Sequence, residues 1–211
     1  MAMQYTYRKK SRFIKWLLTT WLLAILAVIV LLFWQNEWKY SLSTPVPANY
    51  HLVKQGDIIN ISYQSELKEK KPLFLHFFNP ACPCSRFNIP HFKSLVKKYS
   101  NSINFAVVIM SNDSTYTVKD IQDKFGLLVP VLFDKSLAVS CGVYSTPQAA
   151  LIDTNHKLYY RGNYNRSRYC TDANSNYAQQ AIDSLLARHF NIVFNESALK
   201  SYGCQLPNCI R

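Results

Sequence analysis

The chain predicts an α/β sandwich, a mixed central sheet flanked by helices, placed after one N-terminal transmembrane helix. Three observations predict it. A charge-free apolar run fills residues 16–34. From residue 73 onward, short apolar runs bounded by Pro, Asn or Gly alternate with stretches of helical spacing. Two adjacent strand-like runs then close the alternation, which implies an antiparallel hairpin beside parallel crossovers.

The apolar run, Trp16 to Trp34, spans about 28 Å as a helix, close to the roughly 30 Å hydrocarbon core of a bilayer. Trp16, Trp34 and Trp38 sit where interfacial aromatics belong. The run exceeds a secretory h-region, and Gln35, Asn36 and Glu37 follow it instead of a small-residue cleavage site, so it reads as a retained signal-anchor. Arg8, Lys9, Lys10, Arg12 and Lys15 precede it without an acid. The expected layout is a cytoplasmic basic tail over 1–15, a single pass of the inner (cytoplasmic) membrane over 16–34, and everything later in the periplasm or another extracytoplasmic space. Such a compartment lets disulfides persist.

Of the 211 residues, 49% are apolar and 17% charged, with five glycines and nine prolines, which excludes disordered and collagen-like classes. Six cysteines are too few for a miniature disulfide scaffold but enough for redox chemistry. The formal charge is +12, and five of its basic residues belong to the N-terminal tail. No nucleic-acid module accompanies the remainder, so nucleic acid is not expected as a partner. The lipid bilayer is, through the apolar helix.

Residues 35–56, with Ser41, Ser43, Thr44, Pro45, Pro47 and Asn49, read as a linker. The domain is expected over 57–190, with a C-terminal extension over 191–211. Asp57 to Tyr63 is expected as a short strand and Glu66 to Lys71 as a charged turn. Leu73 to Phe78 (LFLHFF) is a buried strand by its length. Asn79 to Ser85 is a turn. Phe87, Ile89, Phe92, Leu95 and Val96 recur at helical spacing, and Pro90 should kink that helix or delay its start. Strands follow over Ile103–Met110 and Val129–Phe133, with helices over Val118–Phe125 and Leu137–Cys141, each ended by a glycine. Ala149–Asp153 and Lys157–Arg161 form the hairpin. Tyr177–Phe190 is an amphipathic helix with Ala181, Ile182, Leu185 and Leu186 facing the core.

The chemistry is expected at Cys82-Pro83-Cys84, between a buried strand and a helix. A helix N-terminus offers free N–H groups and partial positive charge, which stabilise a thiolate. Arg86 adds a candidate thiolate-stabilising charge. Two neighbouring thiols can be cycled, one attacking a disulfide and the other resolving the mixed disulfide. Two other readings stand beside this one: a permanent structural bridge, or a Cu(I) or Zn site made by Cys82, Cys84 and His76 or His91.

The stretch Phe77-Phe78-Asn79-Pro80-Ala81-Cys82-Pro83-Cys84-Ser85-Arg86-Phe87 and the later Ser145-Thr146-Pro147 resemble the thioredoxin-like superfamily. The likeness is to its membrane-anchored, extracytoplasmic, TlpA-like thiol–disulfide oxidoreductases. It covers about residues 57–190. It implies a thioredoxin-like fold, Cys82 as nucleophile, Cys84 as resolving thiol, and a cis-proline at Thr146-Pro147 that faces the redox pair and receives the substrate backbone. The sequence departs in two places. One residue instead of two separates the cysteines, and Ala81 replaces the tryptophan that often precedes the first of them. The shorter ring should make its disulfide the more oxidising.

Among the remaining cysteines, Cys204 and Cys209 flank QLPN and are a candidate structural disulfide. Cys141 is expected as a buried structural thiol and Cys170 in a polar loop. The function implied is disulfide exchange with extracytoplasmic protein thiols or disulfides, served by a membrane or soluble electron partner, with no cofactor. The alternatives are a copper-binding chaperone on the same fold, using His156, and a non-catalytic scaffold. A peroxidase is disfavoured because Asn79 stands where such chemistry needs a threonine.

Overall fold

The computed structural model describes residues 2–38, 42–61, 70–112, 115–167, 172–189 and 192–206. It divides into two units, Met1–Tyr40 and Ser41–Arg211. The first is helix α1, Ala2–Phe33, continued by one π-helical stretch, Trp34–Trp38. Within it Arg12–Asn36 is long and apolar enough to cross a membrane. The hydroxyls of Thr19 and Thr20 donate to the carbonyls of Lys15 and Trp16 one turn earlier, so their polarity is satisfied inside the helix.

In the second unit the chain runs β1 (Leu73–Phe78), α2 (Pro83–Tyr99), β2 (Asn104–Ile109), α3 (Val118–Phe125), β3 (Val131–Leu132) and α4 (Ser136–Ser140). It continues through β4 (Ser145–Thr146), β5 (Gln148–Ile152), β6 (Leu158–Gly162), α5 (Tyr177–Leu186), α6 (Glu196–Leu199) and β7 (Cys204–Gln205). The main sheet has the order β3-β2-β1-β5-β6. β1, β2 and β3 are mutually parallel, and β5 pairs antiparallel with β1 and β6. β4 and β7 make a separate two-stranded ladder.

β1 is apolar throughout because it is covered on both faces. Phe74 and Phe78 pack with Phe92 of α2 and Ile182 of α5. Leu73, Leu75 and Phe77 face the other way, against Ala138 of α4 and against Ile59 and Ile61. Each such buried side chain contributes about 1.5–3 kcal/mol relative to exposure. The strand thereby anchors the turn that follows it.

Helix α2 begins at Pro83, four residues ahead of the periodic apolar positions. Proline is favoured there because its fixed φ suits a first helical residue and its missing N–H was unpaired anyway. The helix also runs through Pro90. Pro90 and Arg86, the residue one turn back whose carbonyl loses its N–H partner, are both exposed. α3 matches its expected span. Its start is held by a capping box between Thr117 and Asp120, and its end by Gly126 at φ 60°.

Several elements are shorter than expected. β3 keeps only Val131–Leu132, since Pro130 can accept from Val107 N–H (2.9 Å) but cannot donate. α5 stops at Leu186, which is 41% exposed and turned away from the core, unlike Ala181, Ile182 and Leu185. Phe190 lies outside the described residues, as does the turn expected over Glu66–Lys71 apart from Lys70 and Lys71. Of the strand expected over Asp57–Tyr63, residues 62 and 63 lie outside the described residues, and over 57–61 there is an antiparallel bridge, Ile58 to Lys157. The carboxylate of Asp153 takes the next donors of that turn, Asn155 N–H and Lys157 N–H, each at 2.8 Å.

The stretch expected as a linker is also corrected. From residue 42 it belongs to the second unit and packs on it. Thr44 N–H donates to Ser201 O at 2.8 Å, and Tyr50 O–H to Gly142 O at 2.9 Å.

Candidate active site

The turn after β1 is built by its own side chains. Asn79 is buried and its Oδ1 accepts from Ala81 N–H (2.9 Å), while its N–H donates to Ser85 Oγ (3.3 Å). Cys82 N–H donates to Asn79 O (3.0 Å). These bonds deliver Cys82 to the N-cap of α2 with extended backbone angles, φ −83° and ψ 121°. Its carbonyl accepts from Arg86 N–H at 3.2 Å, the first turn of the helix. Cys82 therefore stands at the positive end of a 17-residue helix. Arg86 is exposed at the end of that turn.

β4 comes to meet it. The Thr146-Pro147 peptide is cis. The sulfur of Cys82 lies 3.9 Å from Thr146 O. Thr146 and Cys82 are both wholly buried.

The cysteine pairing differs from both expected pairs. Cys82 is bonded to Cys204, with 6.5 Å between the two Cα atoms, in place of Cys82 with Cys84 and of Cys204 with Cys209. The reason is geometric. Cys82 and Cys84 are two positions apart at a helix start, where side chains do not face one another. Cys204 instead sits on β7, directly opposite Thr146 in the β4–β7 register. Cys84 stays a buried thiol on the second helical residue, its carbonyl accepting from Asn88 Nδ2 at 3.3 Å. Cys209 and Cys170 lie outside the described residues.

Cys141 is buried, and burial pushes its thiol up to about 12 against a smaller opposing pull from Arg161. His76 is sealed in the core, accepting or donating through Nδ1 to Tyr164 Oη, while His91 packs edge-on against the same tyrosine. His156 occupies the β5–β6 turn at positive φ, 61°. Among the described residues no three of His, Cys, Asp and Glu come together as a metal site.

Sequence reasoning missed Cys204 and Gly203 as parts of the site. Their only local signal is a glycine preceding a cysteine in a tail otherwise read as an extension.

A strand–turn–helix that presents a cysteine to a cis-proline loop, on this five-stranded mixed sheet, defines a thioredoxin-like fold. Residues 54–206 match a domain of unknown function, DUF6436, and the chain belongs to that family. The matched span reaches β7 and includes Cys204. The chain is 28% identical over 92 residues to the thiol–disulfide oxidoreductase ResA of Halalkalibacterium halodurans, over 43% of this chain and 52% of the relative. It thus spans about half the length of that curated relative. Two solved structures share the fold. A hypothetical protein of Sinorhizobium meliloti 1021 has a TM-score of 0.60 at 19% identity, covering 75% of this chain and 96% of the other. An uncharacterized conserved protein of Geobacillus kaustophilus has a TM-score of 0.57 at 19% identity, covering 77% and 97%.

Proposed function

We propose that the protein is a membrane-anchored, extracytoplasmic thiol–disulfide oxidoreductase that exchanges disulfides with protein substrates through Cys82. The observation that carries this reading is the position of Cys82: at the N-cap of α2, with its sulfur 3.9 Å from Thr146 O. The helix end favours the thiolate, which is the nucleophile in exchange. Thr146 and Pro147 border a strand edge that β7 covers here, and with β7 displaced an extended substrate segment can lie along it, with its cysteine beside the Cys82 sulfur. The thiolate attacks a substrate disulfide, one substrate sulfur leaves, and a second thiol of this chain completes the exchange.

The likeness to ResA supports the same activity. The anchor reading rests on the apolar helix and on the basic residues preceding it. The electron partner is a dithiol or disulfide protein in the membrane or in the outer compartment.

The test uses the full chain in detergent. Reduced protein should form a glutathione adduct at Cys82 and react with iodoacetamide there at neutral pH, and Cys82→Ser should abolish both. In cells, a Cys82→Ser strain indistinguishable from wild type would instead favour the scaffold reading. Protection of the C-terminal domain from protease added to the cytoplasmic side tests the topology.

A further inference from the structure

We infer that Cys204 is the thiol that resolves Cys82, and that β7 stands where a cysteine-bearing substrate strand would bind. The inference rests on the exchange reading above. Its first support is the Cys82–Cys204 bond itself, formed across 122 residues of sequence. The second is the ladder that presents it. β4 takes no place in the five-stranded sheet, and β7 is its antiparallel neighbour, pairing Ser145 with Gln205 and Thr146 with Cys204.

The third support is Gly203. It has φ +108°, and a Cβ there would run into Thr146 O and lie 3.4 Å from Pro147 Cδ. The tail is seated as closely as backbone on backbone allows, and no residue with a side chain fits. Around it the tail is tied down by Tyr202 O–H to Asn165 O (2.8 Å), Thr44 N–H to Ser201 O (2.8 Å) and Leu206 N–H to Tyr144 O (3.0 Å). An extended segment added to a sheet edge, with its cysteine bonded to Cys82, is the arrangement a mixed disulfide with a substrate strand would have. Here the chain supplies that strand itself.

The chemistry balances with a dithiol protein as co-reactant. A substrate thiolate attacks Cys82 Sγ. The new S–S bond forms as Cys82–Cys204 breaks, and Cys204 leaves as a thiolate that takes up the proton lost by the substrate thiol. With the covalent tie gone, β7 can leave β4 and the substrate strand can occupy its register. The second substrate thiolate then attacks its own bonded sulfur, closing the substrate disulfide and releasing Cys82 as a thiolate, which takes the second proton. Two electrons and two protons pass from the substrate to the Cys82/Cys204 pair. In the reverse direction Cys204, brought back to Cys82 as β7 re-seats on β4, attacks the mixed disulfide and frees the reduced substrate.

The test is the lifetime of a Cys82–glutathione adduct in the full chain in detergent. Wild type should resolve it quickly, because a tethered thiol acts at high effective concentration. Cys204→Ser should accumulate the adduct, with a lifetime longer by roughly tenfold or more. Gly203→Val keeps every thiol but prevents β7 from seating, and should prolong the adduct in the same way. A Cys204→Ser chain that resolves its adduct at the wild-type rate, with the new bond mapped by mass spectrometry to Cys82–Cys84, overturns the inference and leaves the exchange reading standing. So does an unchanged lifetime in Gly203→Val. If wild type and both variants form no adduct at Cys82, the exchange reading itself fails.

Discussion

The imidazole Nδ1 of His76 lies 2.7 Å from the phenolic oxygen of Tyr164, in a part of the core that solvent does not reach. The His76 ring stacks on Phe92 at 4.6 Å, and its Nε2 has no hydrogen-bond partner among the described residues. Burial, reinforced by the neighbouring His91, pushes the His76 pKa down from 6.5 to about 3. Between those values the unfolded chain binds a proton that the folded chain refuses. Stability is therefore full above the unfolded value and is lost as pH falls. Lowering the pH from 7.5 to 5 should cost about 2 kcal/mol at this site. His76→Phe should shrink the pH-dependent loss by that amount, whatever it does to stability at neutral pH. Urea unfolding of the full chain in detergent at both pH values measures it, and equal losses in the two proteins would refute the assignment.

Cys141 should be chemically silent. With its thiol pushed up to about 12, only about one molecule in ten thousand carries the thiolate at pH 8. In the fully reduced native protein, iodoacetamide should label Cys82 and spare Cys141 until denaturant is added. Prompt native labelling of Cys141 would show that its burial is not maintained in solution.

The start of α3 offers a clean stability test away from the sulfur chemistry. Thr117 Oγ1 accepts from Asp120 N–H (3.1 Å), and Asp120 Oδ2 accepts from Thr117 N–H (3.0 Å). Thr117→Ala removes half of this reciprocal pair and should cost about 1 kcal/mol. The loss should appear in the unfolding midpoint, with adduct formation at Cys82 unchanged.

Tyr99, near the end of α2, donates its O–H to Asp183 Oδ1 of α5 at 2.5 Å. Burial first, and then the contact with Asp183, holds the phenol above its ordinary pKa. Tyr99→Phe keeps the ring in the core and deletes only the bond to a carboxylate, so a loss of about 1.5–3 kcal/mol is expected. A double-mutant cycle with Asp183→Asn checks that the two residues are coupled.

The elements that carry the site were legible where local pattern and tertiary environment agree. LFLHFF reads as a strand from its short apolar run, and the cysteines that follow were placed between that strand and a helix, although the helix starts at Pro83, inside what the sequence reads as a turn. The hairpin around Asp153–Lys157 was legible from its turn residues. The tail was not. Pairing of Cys204 with Cys82 depends on β4 and β7 meeting in space, and no spacing between the two cysteines encodes that. Residues 42–56 failed for a related reason. Their Pro and Ser content marks irregular backbone, but irregular backbone can still pack, as Thr44 and Tyr50 do. His76 was hidden inside an apolar run, where a histidine gives no periodic signal.

The position of Cys204 has a consequence for biosynthesis. A ribosome adding roughly 5–20 residues per second makes Cys82 on the order of ten seconds before the sulfur that will bond it, 122 residues later. Throughout that interval, every cysteine a nascent chain can offer Cys82 is a different one. The finished pairing can therefore form only after the tail carrying Cys204 has been made.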